Sequence, residues 1–212
     1  MYHDKKFSSV LLFGPPGVGK GTQGKILGNV PGFFHLAVGD VFRSIDIGSD
    51  IGKEVYKYSS QGLLVPDELT IKIWHNALNA YVALSWYKPR EDLLVLDGMP
   101  RNVEQTGLIG DYVDILKIIH MECSDEEDMI HRIKRRAIRE NRRDDAKEDV
   151  VRQRFEVYRE TTVPILEQYP KEMISTVDAN GSPAEVLQAI LTCMIPAQNA
   201  HFAAHGTNPA SA

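Results

Sequence analysis

Gly14-Pro15-Pro16-Gly17-Val18-Gly19-Lys20-Gly21-Thr22-Gln23 is the stretch that decides the fold of this chain. The apolar run 7–13 before it predicts a buried parallel strand, and residues 25–27 after it predict the start of a helix. A strand, a glycine-rich turn and a helix form the context of a phosphate-binding loop. Glycines let backbone N–H groups converge on an anion, the helix N-terminus adds positive charge, and Lys20 can reach the outer phosphates. The loop therefore predicts a nucleotide site that includes Gly17, Val18, Gly19, Lys20, Gly21 and Thr22.

Composition places the chain among single-domain globular proteins. It has 212 residues, of which 43% are hydrophobic and 25% charged, and these are ordinary values. No run of about 18 apolar residues indicates a membrane span, and the N-terminal residues do not resemble a secretion signal. Cys123 and Cys193 lack metal-ligand spacing and are expected to be reduced. We therefore expect a cytoplasmic protein with no membrane partner.

The charge is unevenly distributed along the chain. Residues 132–154 contain ten Lys/Arg and five Asp/Glu, whereas the remainder contains 14 basic and 24 acidic residues. A protein that binds nucleic acid along its surface is basic overall, so the sequence argues against a nucleic-acid partner. A positive cluster in an acidic protein suits one compact polyanion such as a triphosphate. The alternative is a solvated, salt-bridged helix face.

Apolar strand patterns alternate with amphipathic helix patterns along the chain. This alternation predicts an α/β fold, a five-stranded parallel sheet with helices on both faces, like that of P-loop NTPases. Ligands of such sheets bind at the carboxyl ends of the strands. The loop at Gly14 and the acid Asp97 both follow apolar strands, so they are expected to converge on one crevice. Asp97 is then a candidate magnesium ligand, acting through water, with a turn or cap residue as the alternative.

The sequence resembles the adenylate kinases and their nucleoside monophosphate kinase relatives. The loop ends in Gly-Lys-Gly-Thr-Gln, where the general phosphate loop has Ser or Thr directly after the lysine. Four further stretches carry the resemblance over roughly residues 10–191. They are Val38-Gly39-Asp40 with Arg43, residues 63–68, Asp97-Gly98-Met99-Pro100-Arg101 with Gln105, and the late arginines. Residues 180–182, before the last helix, resemble the loop that meets the donor adenine, which selects Gly181.

The resemblance implies a monophosphate site in which two arginines bind the phosphate and one side-chain amide hydrogen-bonds the adenine. Arg43 and Arg101 would bind the acceptor phosphate, for which a planar guanidinium is well shaped. Gln105 offers a donor and an acceptor to the base. Val38 stands where the family commonly has Thr, so its side chain cannot hydrogen-bond the base. The remaining AMP-site residues implied are Leu63, Leu64, Val65, Gly98, Met99 and Pro100.

The late arginines would surround the phosphoryl group in transit. Arg132, Arg136 and Arg154 match the family by spacing and would neutralise the donor phosphates and the transition state. Matching Asp144-Asp145 to the family's paired acids selects Arg142 or Arg143 as the lid arginine. Counting back from Arg154 selects Arg143, which we prefer. The lid would be short, about residues 135–147, and it holds no cysteine for a zinc site.

These residues predict an adenylate kinase that converts ATP and AMP to two ADP, with magnesium. The implied catalytic set is Lys20, Arg101, Arg132, Arg136, Arg143 and Arg154, and no covalent intermediate is needed. Two alternatives stay open, namely a kinase of UMP, CMP or another monophosphate, and a nucleotide-binding regulator without turnover. We expect a monomer with one domain over residues 1–195, a monophosphate-binding insert at about 37–65 and a flexible tail at 196–212. The last helix is expected to end near Ile195.

Overall fold

The structure is a computed structural model that describes residues 6–140, 142, 145 and 147–208. Its centre is a sheet of five parallel strands in the order β2-β3-β1-β4-β5. The strands are β1 Phe7–Phe13, β2 Phe33–Ala37, β3 Leu93–Asp97, β4 Val113–Glu122 and β5 Ile174–Asp178. The predicted fold class is confirmed.

Side chains of β1 alternate between two apolar cores, one on each face of the sheet. The helices that surround the sheet are α1 Lys20–Leu27, α2 Val38–Ser44, α3 Asp50–Ser59, α4 Asp67–Ala83, α5 Val103–Ile109, α6 Glu126–Arg139, α7 Glu148–Val157 and α8 Pro183–His205. Val10 and Leu12 belong to the first core, which α1, α6 and α8 cover, whereas Leu11 and Phe13 belong to the second, which α4 and α5 cover. Because both faces are buried, residues 10–13 of the strand form an unbroken apolar run.

Local capping fixes where several helices begin. The hydroxyl of Ser182 and the carboxylate of Glu185 form a capping box at the start of α8, and Asp125 caps α6 by accepting from the N–H of Asp128. Asp40 is of a residue type that favours helix caps, but α2 already begins at Val38 after extended Ala37. Asp40 therefore lies inside the first turn, where its charge suits the helix dipole.

The C-terminal end of the chain differs from the prediction that the last helix stops near Ile195. Helix α8 continues through Pro196 to His205, and residues 196–205 are not a flexible tail. The cause lies in tertiary contacts that the sequence pattern does not show. His201 is 1% exposed, and Phe202 lies against Gly32. This packing outweighs the hydrogen bond that Pro196 removes. Gly206, with φ +63°, ends the helix in the left-handed conformation.

One wide turn interrupts the long helical segment after Val157. Residues 158–162 form a π-helical turn, and residues 163–168, which include Pro164 near their start, form a 3₁₀ turn. The hydroxyl of Thr162 donates to the carbonyl of Arg101 at 2.7 Å, and that of Thr161, which donates to the carbonyl of Val157 at 2.7 Å, lies 3.2 Å from the same Arg101 oxygen. The turn thus ties α7 to the segment between β3 and α5.

No helix in the described part of the chain combines the length and the apolar character needed to cross a membrane.

Candidate active site

The loop between β1 and α1 forms the floor of a crevice at the carboxyl edge of the sheet. Gly14, Gly17 and Gly19 have φ values of +143°, +80° and +112°, a region that favours glycine. A Cβ on Gly14 would lie 2.4 Å from the carbonyl oxygen of Met121, and one on Gly17 2.6 Å from that of Met129. Side chains do not fit at these two positions, so backbone forms the surface of the loop there.

Lys20 opens α1 and folds back over the loop. Its ammonium donates to the carbonyls of Gly14 at 2.5 Å and of Pro15 at 2.9 Å. Burial lowers the pKa of Lys20 to about 8, partly opposed by the negative charge of Asp97. A cation with this little hydration interacts strongly with an arriving anion.

Asp97 lies beside the loop because β3 and β1 are neighbours, with Leu12 paired to Asp97. The residue is 7% exposed, and its Oδ2 lies 3.6 Å from Nε2 of His35. A Cβ at Gly21 would come within 3.7 Å of the same oxygen, so the glycine keeps the space above the carboxylate narrow but free of side chain. Within the described residues, no group of three or more His, Cys, Asp or Glu is arranged to hold a metal by itself.

A buried carboxylate joins two of the predicted arginines. Asp145 has a fully buried side chain and accepts from Arg136 at 2.6 Å and from Arg154. Burial alone would raise the pKa of Asp145, but the charges of Arg154 and Arg136 outweigh burial and hold it below its ordinary value. The two guanidinium groups are thereby fixed at the crevice wall, which both line.

A second carboxylate pairs with arginines from opposite sides of the crevice. Asp40 on α2 accepts from Arg43 at 2.6 Å and lies 3.4 Å from Arg142, whose side chain is 10% exposed. Arg142 also pairs with Glu140 at 2.6 Å. Burial would raise the pKa of Asp40, but the hydrogen bond from Arg43 and the charge of Arg142 outweigh it and lower it. Arg142, which follows α6, and Asp40 of α2 therefore touch across the crevice.

Arg101 is held from both its backbone and its side chain. Its Nε donates to the carbonyl of Gly98 at 2.9 Å, and its N–H donates to Oε1 of Gln105 at 2.8 Å. Asn102 caps α5 by accepting from the N–H of Gln105. These contacts place Arg101 and Gln105 on one side of the crevice.

Two adjoining cavities make up the crevice, and six of the predicted residues line both. The polar cavity, about 150 Å³, lies over the loop. The apolar cavity, about 470 Å³, lies between α2, α3 and residues 63–65, and its lining includes Val38, Phe42, Ile47, Tyr56 and Gln105. The predicted residues at the boundary of the two cavities are Arg43, Leu64, Gly98, Arg101, Arg142 and Arg154.

Most of the predicted site residues lie at the crevice, and a few do not. Val18 is buried in the first core at 2% exposure, and Thr22 is an exposed residue of α1. Arg132 pairs with Asp128 on its own helix at 2.6 Å, and Gly181 lies beside Glu185 at the start of α8. None of these four is among the described residues that line the two cavities. Arg143 lies outside the described residues.

The structure adds residues that the sequence did not single out for the site. Asp145 and Glu140 act as counterions of the arginines, and Phe42, Ile47 and Tyr56 supply the apolar wall. In the sequence, Glu140 was visible only as a neighbour of a basic cluster, and Asp145 only as one of the paired acids that help to choose the lid arginine. Their roles depend on contacts between segments that meet only in the fold.

Comparison with known proteins agrees with this geometry. A family model described as adenylate kinase matches residues 12–174. Similar curated proteins include the adenylate kinases of Thermobifida fusca, 36% identical over 191 residues, and of Parasynechococcus marenigrum, 37% identical over 190 residues. These matches cover 87% and 86% of this chain and 97% and 96% of the two relatives. An adenylate kinase of Mycobacterium bovis is 36% identical over 191 residues, covering 87% of this chain and 98% of the relative.

Proposed function

This chain belongs to the adenylate kinase family and transfers the terminal phosphoryl group of ATP reversibly to AMP, giving two ADP, and we propose how its crevice divides that work. The two adjoining cavities carry the proposal. One is polar and lined by the loop, the other is largely apolar, and four arginines line both, namely Arg43, Arg101, Arg142 and Arg154. A reaction between two nucleotides needs such a pair, with the phosphates meeting between them.

In this proposal the polar cavity takes the phosphates of ATP. The backbone N–H groups at residues 17–22 and the ammonium of Lys20 bind the outer phosphates. Lys20 exchanges the carbonyls of Gly14 and Pro15 for phosphate oxygens, which are stronger acceptors. Gly181 contacts the donor adenine through its backbone.

The apolar cavity takes AMP. The base lies against the apolar wall of this cavity, which includes Val38, Phe42, Tyr56 and residues 63–65. Gln105 hydrogen-bonds the adenine edge. Arg43 and Arg101 bind the acceptor phosphate with paired N–H groups. Gly98, Met99 and Pro100 shape the backbone beneath that phosphate.

The remaining arginines neutralise the charge of the phosphoryl group as it moves in line between two oxygens. Arg136 and Arg154 take this role with Arg132 and a lid arginine, for which Arg143 is preferred and Arg142 is the alternative. Closure of the lid and of residues 37–65 excludes water, so that phosphate passes to AMP and not to water. The pairing of Arg142 with Asp40 across the crevice supports such closure.

We propose that Mg²⁺ enters with ATP. The residues fit this group, because Asp97 is a nearly buried carboxylate beside the loop and hard cations bound to phosphates keep most of their water. Asp97 would hold the ion through water. When bound, the ion neutralises phosphate charge; a zinc site is not part of the proposal.

An acceptor panel tests the function. ADP formation is measured with ATP and each of AMP, UMP, CMP and GMP, and Lys20→Met serves as the control. We expect AMP to be preferred and Lys20→Met to lower kcat/KM by roughly a hundred-fold or more. Preference for a pyrimidine would replace the adenylate assignment by a UMP or CMP kinase, and equal rates in the wild type and Lys20→Met would support a regulator without turnover.

We further propose a monomer that works in the cytoplasm without a nucleic-acid or membrane partner. The free thiols of Cys123 and Cys193 support a reducing compartment. Light scattering after size-exclusion chromatography tests the oligomeric state.

A further inference from the structure

The side-chain amide of Gln105 has two hydrogen-bonding partners, of which one accepts and the other donates. Its Nε2 donates to Oδ1 of Asp67 at 2.6 Å, and its Oε1 accepts from the N–H of Arg101 at 2.8 Å. Gln105 is 2% exposed and lines the apolar cavity. Asp67 stands behind it in the first turn of α4 and is not among the described residues that line the cavity.

Asp67 is itself held in place. Nδ2 of Asn102 lies 3.0 Å from both of its carboxylate oxygens, while Oδ1 of Asn102 accepts from the N–H of Gln105. A carboxylate accepts hydrogen bonds and has none to donate, whereas a backbone N–H only donates. The two partners therefore leave one orientation of the Gln105 amide. In the reversed orientation, oxygen would face the carboxylate and the NH₂ group would face the N–H of Arg101.

The orientation of the amide decides which purine edge it matches. One N–H and one oxygen lone pair of Gln105 remain after its two bonds are made. Adenine presents a donor at its 6-amino group and an acceptor at N1, whereas a 6-oxopurine presents an acceptor at O6 and a donor at N1. An amide that is free to turn over matches both edges, and an amide that is fixed matches one.

We propose that Asp67 is a positioning residue that fixes the polarity of the Gln105 amide and so makes the acceptor site select 6-aminopurine over 6-oxopurine monophosphates. The inference rests on the proposed function, since it needs the apolar cavity to hold the acceptor base. Asp67 touches no substrate and acts through Gln105.

The test compares AMP with IMP, which differs from AMP only at the 6-position and N1. Asp67→Asn keeps the size of the side chain but can donate as well as accept. In this variant the oxygen of a reversed Gln105 amide can accept from residue 67, so only the repulsion between its NH₂ group and the N–H of Arg101 remains. We expect the ratio of kcat/KM for AMP to that for IMP to fall roughly ten-fold. The KM for AMP should rise while kcat and the KM for ATP stay within about two-fold, because the phosphates are held elsewhere.

Three variants separate polarity from other effects of the substitution. Glu68→Gln removes an exposed charge from the same turn of α4 and should keep the AMP/IMP ratio. Asn102→Ser keeps a cap for α5, loses the bonds to Asp67 and should also keep the ratio. Asp67→Glu retains an acceptor-only carboxylate and should restore selectivity, and Asp67→Ala replaces Asp67→Asn if the latter does not fold.

The outcomes distinguish this inference from the function on which it rests. Wild-type protein that makes no ADP from ATP and AMP would overturn the proposed function. Wild-type turnover with an unchanged AMP/IMP ratio in Asp67→Asn would overturn the inference alone. An equal fall of the ratio in Glu68→Gln would assign the effect to charge at the helix start, which also contradicts the inference.

Discussion

Lys20 shows how one residue can be prepared for an anion before the anion arrives. Its ammonium is surrounded by Arg101, Arg136 and Arg154, whose charges add to burial in lowering its pKa to about 8, while Asp97 opposes them. The carbonyls of Gly14 and Pro15 hold the group in the crevice meanwhile. The cation is therefore poorly stabilised in the free protein and well stabilised once phosphate is bound.

The low pKa of Lys20 gives a pH dependence with a definite sign. Because the ammonium loses its proton as pH rises through about 8, we expect kcat/KM for ATP to fall above that pH. Lys20→Arg remains charged throughout, so its lower activity should not fall in the same range. Initial rates between pH 6.5 and 9.5 at subsaturating ATP test this. Parallel profiles for the two proteins would assign the decline to another group.

Asp145 gives a prediction about stability. Removing its charge in Asp145→Asn leaves Arg136 and Arg154 facing each other without their shared carboxylate. We expect a loss of about 2 kcal/mol in the free energy of unfolding, less than for a fully buried pair because both arginines are partly exposed. Urea titration measures it, and bound phosphate groups should reduce the loss by supplying the missing charge. An unchanged midpoint in the free protein would contradict the prediction.

Sequence reasoning reached these residues to different extents. Lys20 and Asp97 could be predicted, because their place depends on a local motif and on the parallel register that pairs Leu12 with Asp97. Asp145 could not, because its role exists only when α6 and α7 bring Arg136 and Arg154 to either side of it. Asp67, which follows Pro66, indicates in the sequence only a favourable charge at a helix start, whereas its bond to Gln105 spans 38 residues.

At the scale of elements, α8 is the part that the sequence pattern described least well. The helix was expected to stop at Pro196, yet its last turns lie against residues 30–32 and near Arg90, whose carbonyl accepts from Thr207 at 2.5 Å. The strands were predictable because burial on both faces leaves a local apolar signature. The position at which α8 ends depends on a surface that other segments create, so it cannot be predicted from the local sequence.

Truncation after Ile195 tests the contribution of these turns. Loss of the contacts of His201 and Phe202 should lower stability by about 2 kcal/mol, or the Tm by roughly 4–8 °C. Thermal unfolding by circular dichroism measures the change, while kcat at 25 °C should stay close to that of the full chain because the crevice is elsewhere. An unchanged Tm would show that the turns add no stability.

Gly32 provides the matched control for the truncation. A Cβ at this position would lie 2.4 Å from Cζ of Phe202, and the residue has φ +82°. Gly32→Ala should therefore be more destabilising in the full chain, where it meets Phe202, than in the truncated chain, where only backbone strain remains. Equal losses in both would mean that Phe202 does not pack there.

At the scale of the whole molecule, His201 links stability to pH. Neither ring nitrogen has a hydrogen-bond partner in the described part of the chain, and burial, with the charge of His205 adding to it, lowers the pKa of His201 to about 4. An unfolded chain takes up this proton near pH 6.5. Between pH 6.5 and 4 the unfolded state therefore binds more protons than the folded state, and stability falls as pH falls.

His201→Leu removes this group from the titration. At pH 5 the histidine costs the wild type about 2 kcal/mol relative to pH 7, so the variant should lose that much less on acidification. Urea unfolding at pH 7 and pH 5 gives the free energy of unfolding that each protein loses on acidification, and the two losses are then compared. A variant that loses as much stability as the wild type would show that other groups control the acid limit.

The pairing of the crevice arginines with Asp40, Glu140 and Asp145 has a consequence for turnover. In the proposed site, a phosphate that binds Arg43 or Arg142 competes with Asp40 or Glu140 for the same guanidinium, so we expect the measured affinity to be the difference between two ion pairs. When ADP dissociates, these two arginines can return to carboxylates that have stayed within reach. We expect this exchange to keep nucleotide affinity moderate, with the protein's own acids acting as competitors that help to clear the site for the next cycle.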